Sequence, residues 1–174
     1  MWLVEIVDWL LFAGALDRFG IAPRQIVGLR GIFLAPFLHG SFRHLAANTL
    51  PLLALGLLVL LRHRRQFLAI TLIVGLTSGL GTWLFAPAQT IHIGASGLVF
   101  GYFAFLLVAA YHERSPAAIG LALLVIVLYG GLVWGALPQG NGISWQGHLF
   151  GLVGGVLAAN TVVPRRVPIR IDPS

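Results

Sequence analysis

The chain has 174 residues, 58% of them hydrophobic and 9% charged, with a mean hydropathy of +0.92. Soluble domains carry roughly 25% charged residues, so the composition excludes one and indicates an all-α, polytopic membrane protein with room for one helical bundle and no soluble domain. The net charge of +6 is carried by arginine at the ends of apolar runs, as in Arg62–Arg65 and Pro164–Arg170, which is the pattern of membrane anchoring and not of nucleic-acid binding. Cysteine is absent, which excludes disulfide and thiolate chemistry.

In chain order, the apolar runs predict six spans, at about 1–16, 37–61, 67–85, 95–111, 117–137 and 144–163, within a single domain 1–174 that ends in a short tail, 164–174. Five are close to the roughly 20 residues needed to cross a bilayer, while the first is short and carries Glu5 and Asp8. No signal-peptide pattern stands out at the N-terminus, where a basic leading region is missing. The connection 17–36 is too apolar to be a simple tether and is expected to lie in the interface; the other connections are marked by Pro and Gly. With all six spans counted, Arg62, Arg64, Arg65, Arg114, Arg165, Arg166 and Arg170 fall on one side and Arg18, Arg24, Arg30 and Arg43 on the other. The larger group marks the cytoplasmic face, which places both termini there.

Parity then places the polar residues within the spans. Spans two, four and six run in the same direction, and each carries its unusual residues near its start: His39, His44 and Asn48, then Ser96, then His148. Asn48 and His148 are expected on the order of 5 to 15 Å below the outer surface. Polar groups at that depth are costly unless they face one another or a wet cavity. Singly, each has an ordinary explanation: His44 and Asn48 share a helix face at i and i+4, and a lone Ser can bond back to its own helix. Together they supply the parts of acyl transfer. Ser96 provides a hydroxyl nucleophile, His148 a base with a suitable pKa, and His44, Asn48 and the Ser96 N–H are candidate donors to an oxyanion. No carboxylate is expected in this layer, since Glu5 and Asp8 are read as lying near the other face, so the site would be a dyad. Gly97 and Gly101 in the fourth span and Gly151 and Gly155 in the sixth are spaced for close helix approach, which would bring His148 toward Ser96.

Three motifs, Gly94-Ala95-Ser96-Gly97, the H-x4-H-x3-N pattern of His39, His44 and Asn48, and "WQGHLFGLVGG" around His148, resemble in order and placement those of the rhomboid family of intramembrane serine proteases. The resemblance covers about residues 29–160. It implies a rhomboid-like bundle with Ser96 as nucleophile, His148 as base, His44 and Asn48 as oxyanion donors, and His39 near the mouth of the site. It further implies substrates that are transmembrane segments of other proteins, a multi-pass location in a bacterial inner (plasma) membrane, and no metal or cofactor. Two departures stand out. The Trp-Arg pair frequent in the family's first loop is replaced by a sequence in which Arg30 is one position out of register relative to His39, and Phe100 stands where an aromatic hydroxyl often follows the serine, so that stacking is kept without its hydrogen bond. Neither removes a catalytic group. Two rival readings are a non-catalytic rhomboid-like chaperone, which would lack the serine or histidine, and a proton-coupled transporter using His44, His92 and His148, which would need polar residues leading to both faces. Water and substrate must reach a buried serine, and the fifth span with the loop Pro138–Gly142 has the apolar and turn-forming residues of a gate.

Overall fold

The computed structural model describes residues 1–138 and 144–164; among these every regular element is helical, and the one β-type pairing is an isolated antiparallel bridge between Ile21 and His92. The first apolar run gives a shorter helix than expected. Helix α1 (Trp2–Val7) continues as a wider helical turn over Asp8–Phe12 and stops where Ala13 (φ 50°) and Gly14 (φ 82°) turn left-handed. From Trp2 to Phe12 it reaches about 16 Å, well short of a hydrocarbon layer of roughly 30 Å.

The connection that follows is folded, not slack. It passes through short helical turns, among them α2 (Gly31–Leu34), and is tied to the next helices by backbone bonds: Ile21 and His92 exchange both (2.9 and 3.0 Å), and Gly94 donates to the Ala35 carbonyl at 2.8 Å. The Arg24 guanidinium donates to the carbonyls of Leu84 and Ala86 at 3.0 and 2.8 Å, capping a helix end that would otherwise leave acceptors bare. Arg30, out of register with the family pattern, lies 4.4 Å above the Phe19 ring.

Four stretches are long and apolar enough to cross a membrane: α3 (Phe42–Arg62), α4 (Phe67–Phe85), α5 (Ser96–Glu113), and α6 (Pro116–Tyr129) with the tighter turns Gly130–Ala136 that prolong it. Helix α7 (Trp145–Val162) occupies the sixth expected span and has 18 residues, but Gln146, His148, Asn160 and its glycines lower its apolar character. The second span begins at Phe42 and not at residue 37, because Pro36 sits in a tight turn and Ser41 then caps the helix, its Oγ accepting the His44 N–H at 3.2 Å. His39 therefore precedes the helix.

Packing is closest where side chains are smallest. A Cβ on Gly151 would run into the Gly97 carbonyl, and one on Gly155 into the Gly101 carbonyl, so α5 and α7 touch backbone to backbone. A Cβ on Gly154 would stand 2.9 Å from the Val74 Cα of α4, and Ser78 of α4 donates to the Gly147 carbonyl at 2.8 Å. Helix α7 is thus wedged between α4 and α5. The apolar core, including Leu55, Val59, Ile70, Val74, Phe105 and Ala158, runs from Val99, one turn past Ser96, toward the other end of the bundle, where the Arg62–Glu113 ion pair lies. Helix α6 buries only Ala118 and Val125 and is the least embedded span.

Candidate functional site

The segment before α5 sets the serine in place. Gly94 has φ +112°, a conformation that disfavours any side chain, and a Cβ there would lie 2.8 Å from Cε1 of the His44 ring. The chain turns through Gly94 and Ala95 and enters α5 at Ser96, whose N–H, like that of Gly97, belongs to the first helical turn and has no acceptor within the helix.

Ser96 and His148 meet: Oγ is 2.8 Å from Nε2. The other ring nitrogen, Nδ1, is 2.8 Å from the Gly135 carbonyl. A carbonyl can only accept, so Nδ1 carries the proton, and Nε2 presents its lone pair to the serine hydroxyl. The Phe100 ring stacks on the imidazole at 4.1 Å and 11°, as the sequence anticipates, and fixes its plane. Gly135 is held glycine by the same packing, since a Cβ would stand 2.9 Å from the Phe100 ring.

Beside the pair, His44 and Asn48 line a cavity of about 670 Å³ that also contains Ser96, Phe100 and His148. Asn48 Nδ2 donates to the His44 carbonyl at 3.0 Å, which leaves its second N–H available. The cavity lies between the start of α3, where Arg43 and Ala47 border it, and the turns Gly131–Gly135, with Ile91, His92 and Ile93 completing the wall. Burial lowers the His92 pKa, so that this imidazole, bonded to Thr90 at 2.7 Å, adds no positive charge near neutral pH.

Two placements differ from the sequence expectation. His39 is not at the mouth; it is buried to 1% exposure, does not line the cavity, and packs edge-on behind His44 with ring centroids 5.1 Å apart. The α1 carboxylates do not lie at the far face. Trp2 bonds Thr49 at 3.1 Å and Trp9 packs on Phe42, so Glu5 and Asp8 sit beside the first turns of α3, on the serine's side. The reason is the early end of α1: Asp8 falls in its last turn, where Oδ1 accepts the Leu16 N–H at 3.0 Å. Asp17 is close by, its pKa raised by burial and then by Asp8. None of the three bonds His148, whose partner is the Gly135 carbonyl. That carbonyl escapes sequence reading, because a main-chain acceptor leaves no residue-type signal.

A half-buried serine and a buried histidine in contact, facing a cavity in an apolar helical bundle, define the class as an integral membrane protein with a polar site among its helices. The rhomboid domain model matches residues 28–165, and the chain belongs to the rhomboid family. Uncharacterised proteins of Mycobacterium bovis and Mycobacterium tuberculosis are 46% identical to it over 167 residues, 91% of this chain and 69% of theirs. The rhomboid protease GluP of Bacillus subtilis is 35% identical over 125 residues, 70% of this chain and 24% of its own length.

Proposed function

We propose that the protein is an intramembrane serine endopeptidase that cleaves transmembrane segments of other membrane proteins through a Ser96–His148 dyad. The single observation that carries this reading is the 2.8 Å contact between Ser96 Oγ and His148 Nε2, with the histidine's tautomer set by the Gly135 carbonyl. Family membership supports it. In the proposed architecture α7 crosses beside the four long spans, in one domain of an inner membrane with the Arg62 to Arg65 side cytoplasmic, while α1 enters only part-way from the serine's side.

In the reaction, Ser96 Oγ attacks the scissile carbonyl as its proton passes to Nε2, and the imidazolium is steadied by the Nδ1–H bond to Gly135. The oxyanion takes N–H donors from Ser96, the free Asn48 amide hydrogen and His44. Nε2 then returns the proton to the leaving amine, and water, deprotonated by the same nitrogen, releases the acyl group. The direct test is incubation of the purified protein in liposomes with a panel of single-span proteins, with products identified by mass spectrometry and the serine probed with a fluorophosphonate. New termini within or beside the spans, with Ser96-dependent labelling, support the reading; neither cleavage nor labelling of folded protein defeats it.

If Asn48 and His44 each supply one donor, Asn48→Ala and His44→Ala lower kcat by about 10- to 10³-fold without abolishing turnover. Unchanged kcat in both variants places the oxyanion donors elsewhere.

Substrate is proposed to arrive between α3 and α6, the least embedded span, past Leu132 on the cavity wall. Gly135 belongs to the same stretch, so a large outward movement there would also release the histidine. The loop Pro138–Gly142, named above as part of this gate, lies outside the described residues from 139 onward. Truncating Leu132 or Trp134 to Ala is expected to raise the cleavage rate of a transmembrane substrate severalfold while lowering Tm. A thiol crosslinker joining Ala47→Cys to Leu132→Cys, in a chain that has no other cysteine, stops cleavage until it is cut. Full turnover by the quantitatively crosslinked protein shows that substrate takes another path.

A further inference from the structure

The cavity around Ser96 is lined by one Arg, no Lys and no Asp or Glu among the described residues. That residue is Arg43, exposed in the first turn of α3, next to His44 and five positions before Asn48. Arg24 caps α4, Arg62 pairs with Glu113, Arg18 and Arg30 lie over Phe19, and Arg114 lies over Tyr111; Arg64 and Arg65 make no such contact among the described residues, but they follow the far end of α3, away from the cavity. The Arg43 side chain makes no hydrogen bond, ion pair or ring contact among the described residues. Asp17 lies behind Gly40 and forms no ion pair with it. Helix stability does not account for the charge either, because a cation in a first turn opposes the helix dipole.

We propose that Arg43 recognises a carboxylate on the substrate, so that the preferred membrane-protein substrates carry an Asp or Glu close to the cleaved bond on the serine's side of the membrane. The inference rests on the protease reading above. Arg43 and Ala47 share an exposed face of α3 at the edge of the cavity, and a segment unwinding past them toward Ser96 meets the guanidinium at the outer end. Arg43 lies five positions before Asn48 in the helix, about 7.5 Å of rise, or some two to three residues of extended chain. The acidic residue therefore belongs within about three residues of the scissile bond. Guanidinium and carboxylate pair through two parallel hydrogen bonds, and low dielectric at the membrane surface strengthens that pair above an ordinary exposed ion pair.

The test takes a single-span protein cut by the wild type, maps the cleaved bond, and places Asp, Asn or Lys at each of the three positions on either side. Cleavage is measured in liposomes of zwitterionic lipid and of zwitterionic lipid mixed with phosphatidylglycerol. At one or two adjacent positions the wild type is expected to favour Asp over Asn by about 5- to 20-fold in kcat/KM. Arg43→Gln brings that ratio to near one, and Arg43→Glu inverts it to favour Lys. Each ratio is taken within one variant, so a loss of folded protein cancels. An Asp preference equal in wild type and Arg43→Gln overturns the inference, as does a loss in Arg43→Gln that is the same for every substrate and follows the phosphatidylglycerol content, which would make Arg43 a lipid anchor. Cleavage with no Asp preference at any position overturns this inference alone; absence of all cleavage by the wild type overturns the protease reading together with it.

Discussion

Ser96→Ala and His148→Ala are each expected to reduce cleavage by at least about 10³-fold, to background in an ordinary assay, because nucleophile and base act as a unit and neither retains a function without the other. The double variant is then expected to be no worse than either single one. This non-additivity separates a dyad from two residues that contribute independently to binding. Folding is expected to be affected far less. Ser96→Ala removes one hydrogen bond, a net change of about 1 kcal/mol, and neither Ser96 nor His148 belongs to the apolar core. Fluorophosphonate labelling disappears in Ser96→Ala. Appreciable turnover by either single variant, with the same cut site as wild type, removes the assignment.

The second large effect concerns packing. Gly155→Val places a branched side chain where a Cβ already meets the Gly101 carbonyl, the Phe105 N–H (2.8 Å) and the Ala104 methyl (2.9 Å); Gly151→Val does the same against Gly97. Two of these neighbours are backbone, which cannot rotate away, so α7 must move off α5. Overpacking of this kind costs about 1–3 kcal/mol or more, and a displacement of about 1 Å at the reacting atoms costs on the order of 100-fold in rate. Tm and kcat should fall together. Gly120→Val is the matched control, because a Cβ at Gly120 has open space within 4 Å. If Gly151→Val and Gly155→Val behave like Gly120→Val, α5 and α7 are not in contact at these positions.

The two glycine pairs also show where sequence reading is strong and where it stops. Small residues four apart mark a face suited to close approach, and the chain carries several such pairs. Gly75 and Gly79 have the same spacing as Gly151 and Gly155, yet Gly79 receives Ile32 from the first loop, not another span. Spacing specifies that a neighbour comes close, not which one, because every small-residue face offers the same shallow groove. The carboxylates of α1 show a similar limit. Composition extends the first span to residue 16 and so assigns Glu5 and Asp8 to the far face, whereas the left-handed residues Ala13 and Gly14 end the helix early and bring both acids beside α3. Four residues, about 6 Å of helix, decide the placement.

By itself the sequence determined that the chain is an all-helical membrane protein, where its four long spans lie, and which residues could perform acyl transfer, because apolar length and residue chemistry are properties of short stretches and are written locally. The resemblance of three spaced motifs to the rhomboid family was legible for the same reason, and the family match bears it out. Tertiary structure alone decided that Ser96 and His148, 52 residues apart, stand 2.8 Å from each other, that a glycine carbonyl from the end of the α6 span orients the histidine, that His39 lies buried behind His44, and that Arg43 borders the cavity unpaired. These are relations between segments distant in the chain. They depend on which helix faces pack together and on main-chain atoms that every residue type shares, and no local pattern encodes either.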